Sequence, residues 1–299
     1  MLPTGRRNRI VENLRTQQMV NIIQRYVIDI LVGISSFGSL RRSIQQIMFR
    51  RRPALITERP AVKLRLMLQE LGPTFVKFGQ MVASRSEILP VEWRVELEKL
   101  QDAASPFLFV EVEQAIRREF GKPIEEVFAS FEQTPLAAAS TAQVHAAKLL
   151  SGDNVVVKVL RPNIEVTVKG DLNVMQDVLK MVERRIPWSR RFGVSKLFQE
   201  FAENVLTELD FTNEAYNASL LRHNMQQFPF VYVPSIYTAF STKKVLTQER
   251  VTGVKISDVA ALDAVGIDRE ELGIRFFRAL LHQVFINGFF HADPHPGNV

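Results

Sequence analysis

Apolar residues recur at helical spacing near the start of the chain, at Met19, Ile22, Ile23, Tyr26, Val27, Ile30 and Leu31. Asn21, Gln24, Arg25 and Asp29 take the other side. The pattern predicts an amphipathic helix. Such a helix can lie on a membrane surface or dock on its own protein, and helix statistics favour docking. Residues 61–130 continue helical, with breaks at Gly72-Pro73, Leu89-Pro90, Ser105-Pro106 and Gly121-Lys122-Pro123. From about Thr134 the period changes. "QVHAAKLLSGDNVVVKVL" reads as two strands joined at Ser151–Asn154, and "VPSIYTAFSTKKVLTQERVTG" as a second pair turning at Thr242–Lys244. Helices are expected over Glu165–Arg185, Ser195–Met225 and Glu270–Gly288. No run reaches the ~18 apolar residues that cross a bilayer.

Composition narrows the chemistry. The 299 residues are 46% hydrophobic and 23% charged, enough for a buried core. No cysteine is present, which excludes disulfides, thiolate metal sites and thiol nucleophiles. The net charge of +6 is uneven: residues 1–60 hold eleven arginines, no lysine and three acids, a net of +8. The basic arm can meet anionic lipid, nucleic acid or an acidic protein surface. Nucleic acid is the weakest of these, because no aromatic-interleaved basic stripe accompanies the arginines.

Five short segments carry candidate chemistry. Lys158 stands in the strand "NVVVKV" and shares a face with Val156, opposite Val155, Val157 and Val159. It reads either as an exposed edge lysine or as a point-charge phosphate ligand. Upstream, Ala137, Ala138, Ala139 and Ser140 form a small-residue turn, which is either tight packing or a place where backbone N–H groups approach phosphate. Glu208 and Asp210 lie in a predicted helix near the apolar stripe of Leu197, Phe201 and Val205; they are solvated acids or partners for Lys158. "VLTQERVTG" is a strand running into a Gly-containing connector, where Glu249 to Val251 could meet an adenine edge. Finally, "HADPHPGN" places His291, Asp293 and Asn298 in a proline-broken loop. An Asp followed five residues later by an Asn is the spacing of the kinase catalytic loop, where Asn supplies an oxygen to Mg²⁺. A His291–Asp293–His295 metal site is the rival reading. The linear order of the five segments is that of a kinase-like nucleotide site.

A sixth segment is foreign to ordinary kinases: "LGPTFVKFGQMVASRSEILP", with Lys77, Gly79 and Gln80 in K-x-G-Q. With "AAAS", "VVVKV", "ELD" and "HADPHPGN" it resembles the UbiB-like (AarF-like) family of atypical kinases, within the protein-kinase-like superfamily, from about residue 60 onward. The resemblance implies an α+β, protein-kinase-like fold: an antiparallel-sheet N-lobe and a partial helical C-lobe behind a helical N-terminal extension. The divisions expected are a basic arm at 1–60, the K-x-G-Q helical extension at 61–130, an N-lobe with inserted helices at 131–253 and the start of the C-lobe at 254–299. It further implies ATP and Mg²⁺ as ligands. Ala137, Ala138, Ala139 and Ser140 should border the nucleotide, and Glu249 and Val251 its adenine. Lys158 should contact the phosphates and pair with Glu208. Asp293 should be the catalytic Asp and Asn298 a metal ligand. Lys77 and Gln80 should guard the site with Asp210 near them. One departure is Gln248-Glu249-Arg250, where the family has an apolar residue, Glu and an aromatic. The family's Asp-Phe-Gly strand does not precede Val299, so a fragment ending after the catalytic loop, with little phosphotransfer of its own, is expected.

The expected function is an atypical kinase or ATPase supporting ubiquinone or other isoprenoid-lipid synthesis. The setting implied is peripheral, at the cytoplasmic face of a membrane such as an inner membrane, beside lipid-biosynthesis enzymes, with homodimerisation open. Two alternatives are a nucleotide-switched membrane-surface scaffold and a small-molecule phosphotransferase of the aminoglycoside or choline kinase type. Lys77 and Gln80 argue against the latter, since their helix would occlude a roomy acceptor site.

Overall fold

A computed structural model describes residues 15–26, 59–85, 89–100, 105–185 and 194–292. These fall into two compact units. One draws on the described residues among 1–106, 138–141 and 161–209; the other on those among 107–137, 142–160 and 210–299.

The first unit is helical. Helix α1 spans 15–26, α2 Pro60–Leu71, α3 Pro73–Ala83, α4 Val91–Leu97, α7 Ile164–Arg185 and α8 Val194–Glu208. A proline opens both α2 and α3, where its missing N–H costs nothing. Gly72 joins them at φ 107°, a left-handed value that disfavours a side chain. The amphipathic stripe of α1 is spent within the unit. Met19, Ile22 and Tyr26 are buried, and the Tyr26 hydroxyl donates to Glu70. Of the two roles open to this helix, residues 15–26 take the docked one; Val27, Ile30 and Leu31 lie outside the described residues.

The second unit is built on a five-stranded sheet. Strand β1 is Phe128–Phe131, β2 Ala137–Ala138, β3 Ala142–Leu149, β4 Asn154–Leu160 and β5 Val245–Glu249. The order is β1-β3-β4-β5, with β2 beside β3. The β1-β3, β3-β4 and β4-β5 pairs are antiparallel. Val144 stands opposite Lys158, and Lys158 opposite Leu246. The expected alternation is present: Val155, Val157 and Val159 are fully buried, whereas Val156 and Lys158 are half-buried. Their core is completed by Val112 and Ile116 of α5 (Phe109–Phe120), by Ile124 and Val127 of α6 (Ile124–Val127), and by Phe128, Leu149 and Val245. Helix α9 (Phe211–Asn224) packs on β5, and α10 (Val259–Ala264) and α11 (Arg269–His282) follow. Among the described residues no helix is long and apolar enough to cross a membrane.

Two sequence expectations are corrected. The second strand pair keeps only β5. Its other arm contributes an isolated bridge, Ile236 to Gln248, and a 3₁₀ turn at Thr238–Phe240. Pro234 lacks the donor a ladder needs, and side chains replace the missing rungs: the Thr247 hydroxyl donates to the Phe240 carbonyl, and the Ser241 hydroxyl accepts from the Thr247 N–H. The helix expected over Ser195–Met225 is two helices. Asp210 has an extended backbone, and its Oδ1 accepts from the Thr212 N–H at 3.0 Å. It is an N-cap, so Glu208 ends one helix and Asp210 starts the next.

Candidate functional site

Lys158 lies on β4 between buried valines. Its side chain is 33% exposed, and Nζ donates to Oε2 of Glu214 at 2.7 Å. The ammonium also stands 5.0 Å from the centre of the Phe211 ring, within cation–π range. Glu214 occupies the first turn of α9, where the helix dipole favours a carboxylate. The position of α9 follows from its cap and from a Phe211 N–H bond to the Lys243 carbonyl at 3.0 Å.

This corrects the expected pairing of Lys158 with Glu208. Glu208 is bound by Lys77 of α3, within the helical unit. The Asp210 cap divides the two acids: Glu208 ends α8, and Glu214 begins α9. Sequence reasoning missed Glu214. The available signal was Asp210 itself, an N-cap residue whose Glu follows within the next turn.

The K-x-G-Q residues have definite partners. Besides Lys77 to Glu208, Gln80 Nε2 donates to the Leu100 carbonyl at 3.0 Å. Phe78 meets Phe201 edge to face, with centroids 5.2 Å apart. Asp210 lies 3.5 Å from Lys243 and binds Thr212; the Thr212 hydrogen bond, ahead of Lys243, holds its carboxyl below the usual range. The Asp210 side chain is thus used by Thr212 and Lys243.

In the small-residue turn, Ala137 and Ala139 are exposed, Ala138 is half-buried and Ser140 is buried. At the end of β5 the Glu249 carboxylate accepts from the Tyr232 hydroxyl and from the Ser235 N–H at 3.1 Å. The Tyr232 bond is the chief cause that lowers its pKa. The Glu249 side chain is thus engaged, and any adenine contact there falls to the backbone. Val251 is exposed just beyond. Asp293, His295 and Asn298 lie outside the described residues, and among the described residues no group of three or more His, Asp or Glu could hold a metal ion.

The sheet, its lysine and the acid that meets it define a kinase-like unit. Comparison with known proteins gives the family: the ABC1 atypical kinase-like domain matches residues 99–299, and the chain belongs to that family. It is similar to the "Probable protein kinase UbiB" of Marinobacter nauticus, at 41% identity over 237 residues, covering 79% of this chain and 43% of the relative. The protein of the same name from Azotobacter vinelandii is 42% identical over 248 residues, covering 83% and 46%. The chain therefore spans less than half the length of these curated relatives. Among solved structures it resembles that of Rv3197 from Mycobacterium tuberculosis in complex with erythromycin. There the TM-score is 0.53 at 26% identity, covering 88% of this chain and 63% of the other.

Proposed function

We propose that this chain binds ATP with Mg²⁺ as an atypical kinase or ATPase, serving ubiquinone or other isoprenoid-lipid synthesis at the cytoplasmic face of a membrane. The observation that carries the reading is the Lys158–Glu214 pair. A partly exposed ion pair adds little stability. Its value is orientation: Glu214 and Phe211 fix the direction of an ammonium that stands on a rigid strand. A lysine held so meets phosphate oxygens as a fixed point charge. The alanine turn borders the phosphates, and the backbone near Glu249 and Val251 takes the adenine edge. In this reading Asp293 orients the attacking hydroxyl or water and Asn298 holds the metal. Bound Mg²⁺ would neutralise phosphate charge. Lys77 and Gln80 are regulatory, held by Glu208 and Leu100 in the position described.

The test is calorimetric titration of the chain with Mg-ATP. Lys158→Ala is expected to weaken binding by at least about tenfold, the scale of one lost charge-assisted contact. Glu214→Gln should weaken it in the same direction by less. Unchanged affinity in both variants overturns the reading.

A further inference from the structure

The register of β3, β4 and β5 fixes which residues share a face with Lys158. Side chains alternate along a strand, and residues paired across antiparallel strands stand on the same face. Lys158 pairs with Val144 of β3 and Leu246 of β5, and Val156 pairs with Ala146 and Gln248. These residues form two cross-strand rows on one face, and all of them belong to the sheet-bearing unit. The opposite face is sealed: Val155, Val157, Val159 and Val245 pack there with Val112 and Ile116 of α5. On the lysine face Val144, Val156, Lys158 and Gln248 are half-buried, while Ala146 and Leu246 are buried.

Gln248 is the polar member of an otherwise apolar row. Its side-chain amide makes no hydrogen bond among the described residues. A glutamine amide offers two donors and an accepting oxygen. The next residue is used differently: Glu249 pairs with Val155, so it belongs to the sealed face, and its carboxylate is taken by Tyr232 and Ser235. Gln248 lies two residues along β5 from the Lys158 row, a shift of about 7 Å. The lysine face thus has an ammonium at one end, valine between, and an unengaged amide at the other. A ligand that matches it has an anionic end and a flat end with a polar edge.

We infer that Gln248 is a specificity-determining residue that recognises the base of the nucleotide. This rests on the ATP-binding reading above and adds to it the choice of purine. On one edge of adenine the N6 amino group donates beside N7, which accepts, and a glutamine amide meets both through Oε1 and Nε2. The N6 amino group has two hydrogens, so one remains for the backbone at the end of β5. Guanine presents two acceptors on that edge, N7 and O6. The Gln248 oxygen would then face O6 with no hydrogen between them, so adenine is preferred.

Replacing N7 by carbon removes one of the two bonds and leaves the shape and charge of the nucleotide alone. Mg-ATP, Mg-7-deaza-ATP and Mg-GTP are titrated calorimetrically into the wild-type chain and into Gln248→Met, which keeps the length of the side chain and loses the amide. Inorganic tripolyphosphate with Mg²⁺ is the control without a base. Wild type is expected to bind ATP about fivefold more tightly than 7-deaza-ATP, the scale of one hydrogen bond, and about tenfold more tightly than GTP. In Gln248→Met, ATP and 7-deaza-ATP should agree within about twofold, the ATP-to-GTP ratio should fall, and tripolyphosphate should be unchanged. Equal binding of ATP and 7-deaza-ATP by wild type overturns the inference while the ATP reading stands. So does a gap that persists in Gln248→Met, or a loss of tripolyphosphate as large as that of ATP. The wild-type comparison needs no substitution, so it decides even if the variant does not fold. A wild-type chain that does not bind Mg-ATP overturns both.

Discussion

His145 shows how far a single residue can be specified by its surroundings. It is fully buried on β3. Its Nδ1 lies 2.8 Å from the Glu132 carbonyl, which can only accept, so Nδ1 carries the proton. Its Nε2 then accepts from Gln143 Nε2 at 2.9 Å, while Gln143 Oε1 accepts from the Phe107 N–H at 3.0 Å. Protonating the ring would set donor against donor. Burial lowers the His145 pKa below its ordinary 6.5, opposed in part by the Glu132 bond. The unfolded chain therefore takes up a proton on acidification before the folded chain does. This contribution to stability is whole above about pH 6.5 and is lost as pH falls from there through the folded-state value. Denaturant unfolding at several pH values checks it. His145→Gln should be less stable at pH 7.5 by about 1–3 kcal/mol, the cost of buried groups left unpaired. Its stability should fall less steeply than wild type between pH 7 and 5; parallel pH profiles would contradict this.

At the scale of elements, two helical glycines call for opposite outcomes. Gly79 sits in the K-x-G-Q helix α3. A Cβ there would lie 2.5 Å from Leu100 Cδ1 and 2.7 Å from Leu68 Cδ1, both on buried side chains. Gly170 lies within α7, and a Cβ there meets nothing within 4 Å. Alanine gains about 0.5–1 kcal/mol over glycine inside a helix, but overpacking a core costs about 1–3 kcal/mol. Gly170→Ala should raise the thermal midpoint and Gly79→Ala should lower it, read by circular dichroism melting. A rise in both would show that the two leucines yield freely. The glycine of this motif thus serves the close approach of α2 and the segment after α4. The sequence displayed that glycine beside Lys77 and Gln80 without showing what it fits against.

For the molecule as a whole, the helical unit is closed by contacts across long sequence distances. Arg15 of α1 donates through Nε to Asp171 of α7 at 3.1 Å and also reaches the Leu71 carbonyl. Asp171 is fully buried, and burial, ahead of the opposing bonds to Arg15, raises its pKa. Removing the arginine strands a buried carboxylate, which costs about 3–5 kcal/mol. Arg15→Ala should therefore destabilise the chain and expose 15–26 to limited proteolysis. Arg15→Ala combined with Asp171→Asn should recover much of the loss. An additive double variant would show that the pair is not coupled.

What the sequence settled is what depends on neighbours a few residues apart. The period of two in "NVVVKV" placed Lys158 opposite three buried valines, and the Gly72-Pro73 break marked the boundary between α2 and α3. The resemblance built on those motifs identified the family. The tertiary structure alone decided which charges meet. Glu208 and Glu214 are six residues apart and chemically alike, so no local pattern ranks them as partners for Lys158. The backbone break at Asp210 gives one to Lys77, 131 residues away, and the other to Lys158, 56 residues away. The same holds for the bonds that Arg161 donates to the carbonyls of Ser105, Ala139 and Ser140, acceptors that every residue carries and no sequence pattern marks. Periodicity is a property of the adjacent chain, whereas ion pairs and carbonyl clusters exist only once distant segments have been folded together.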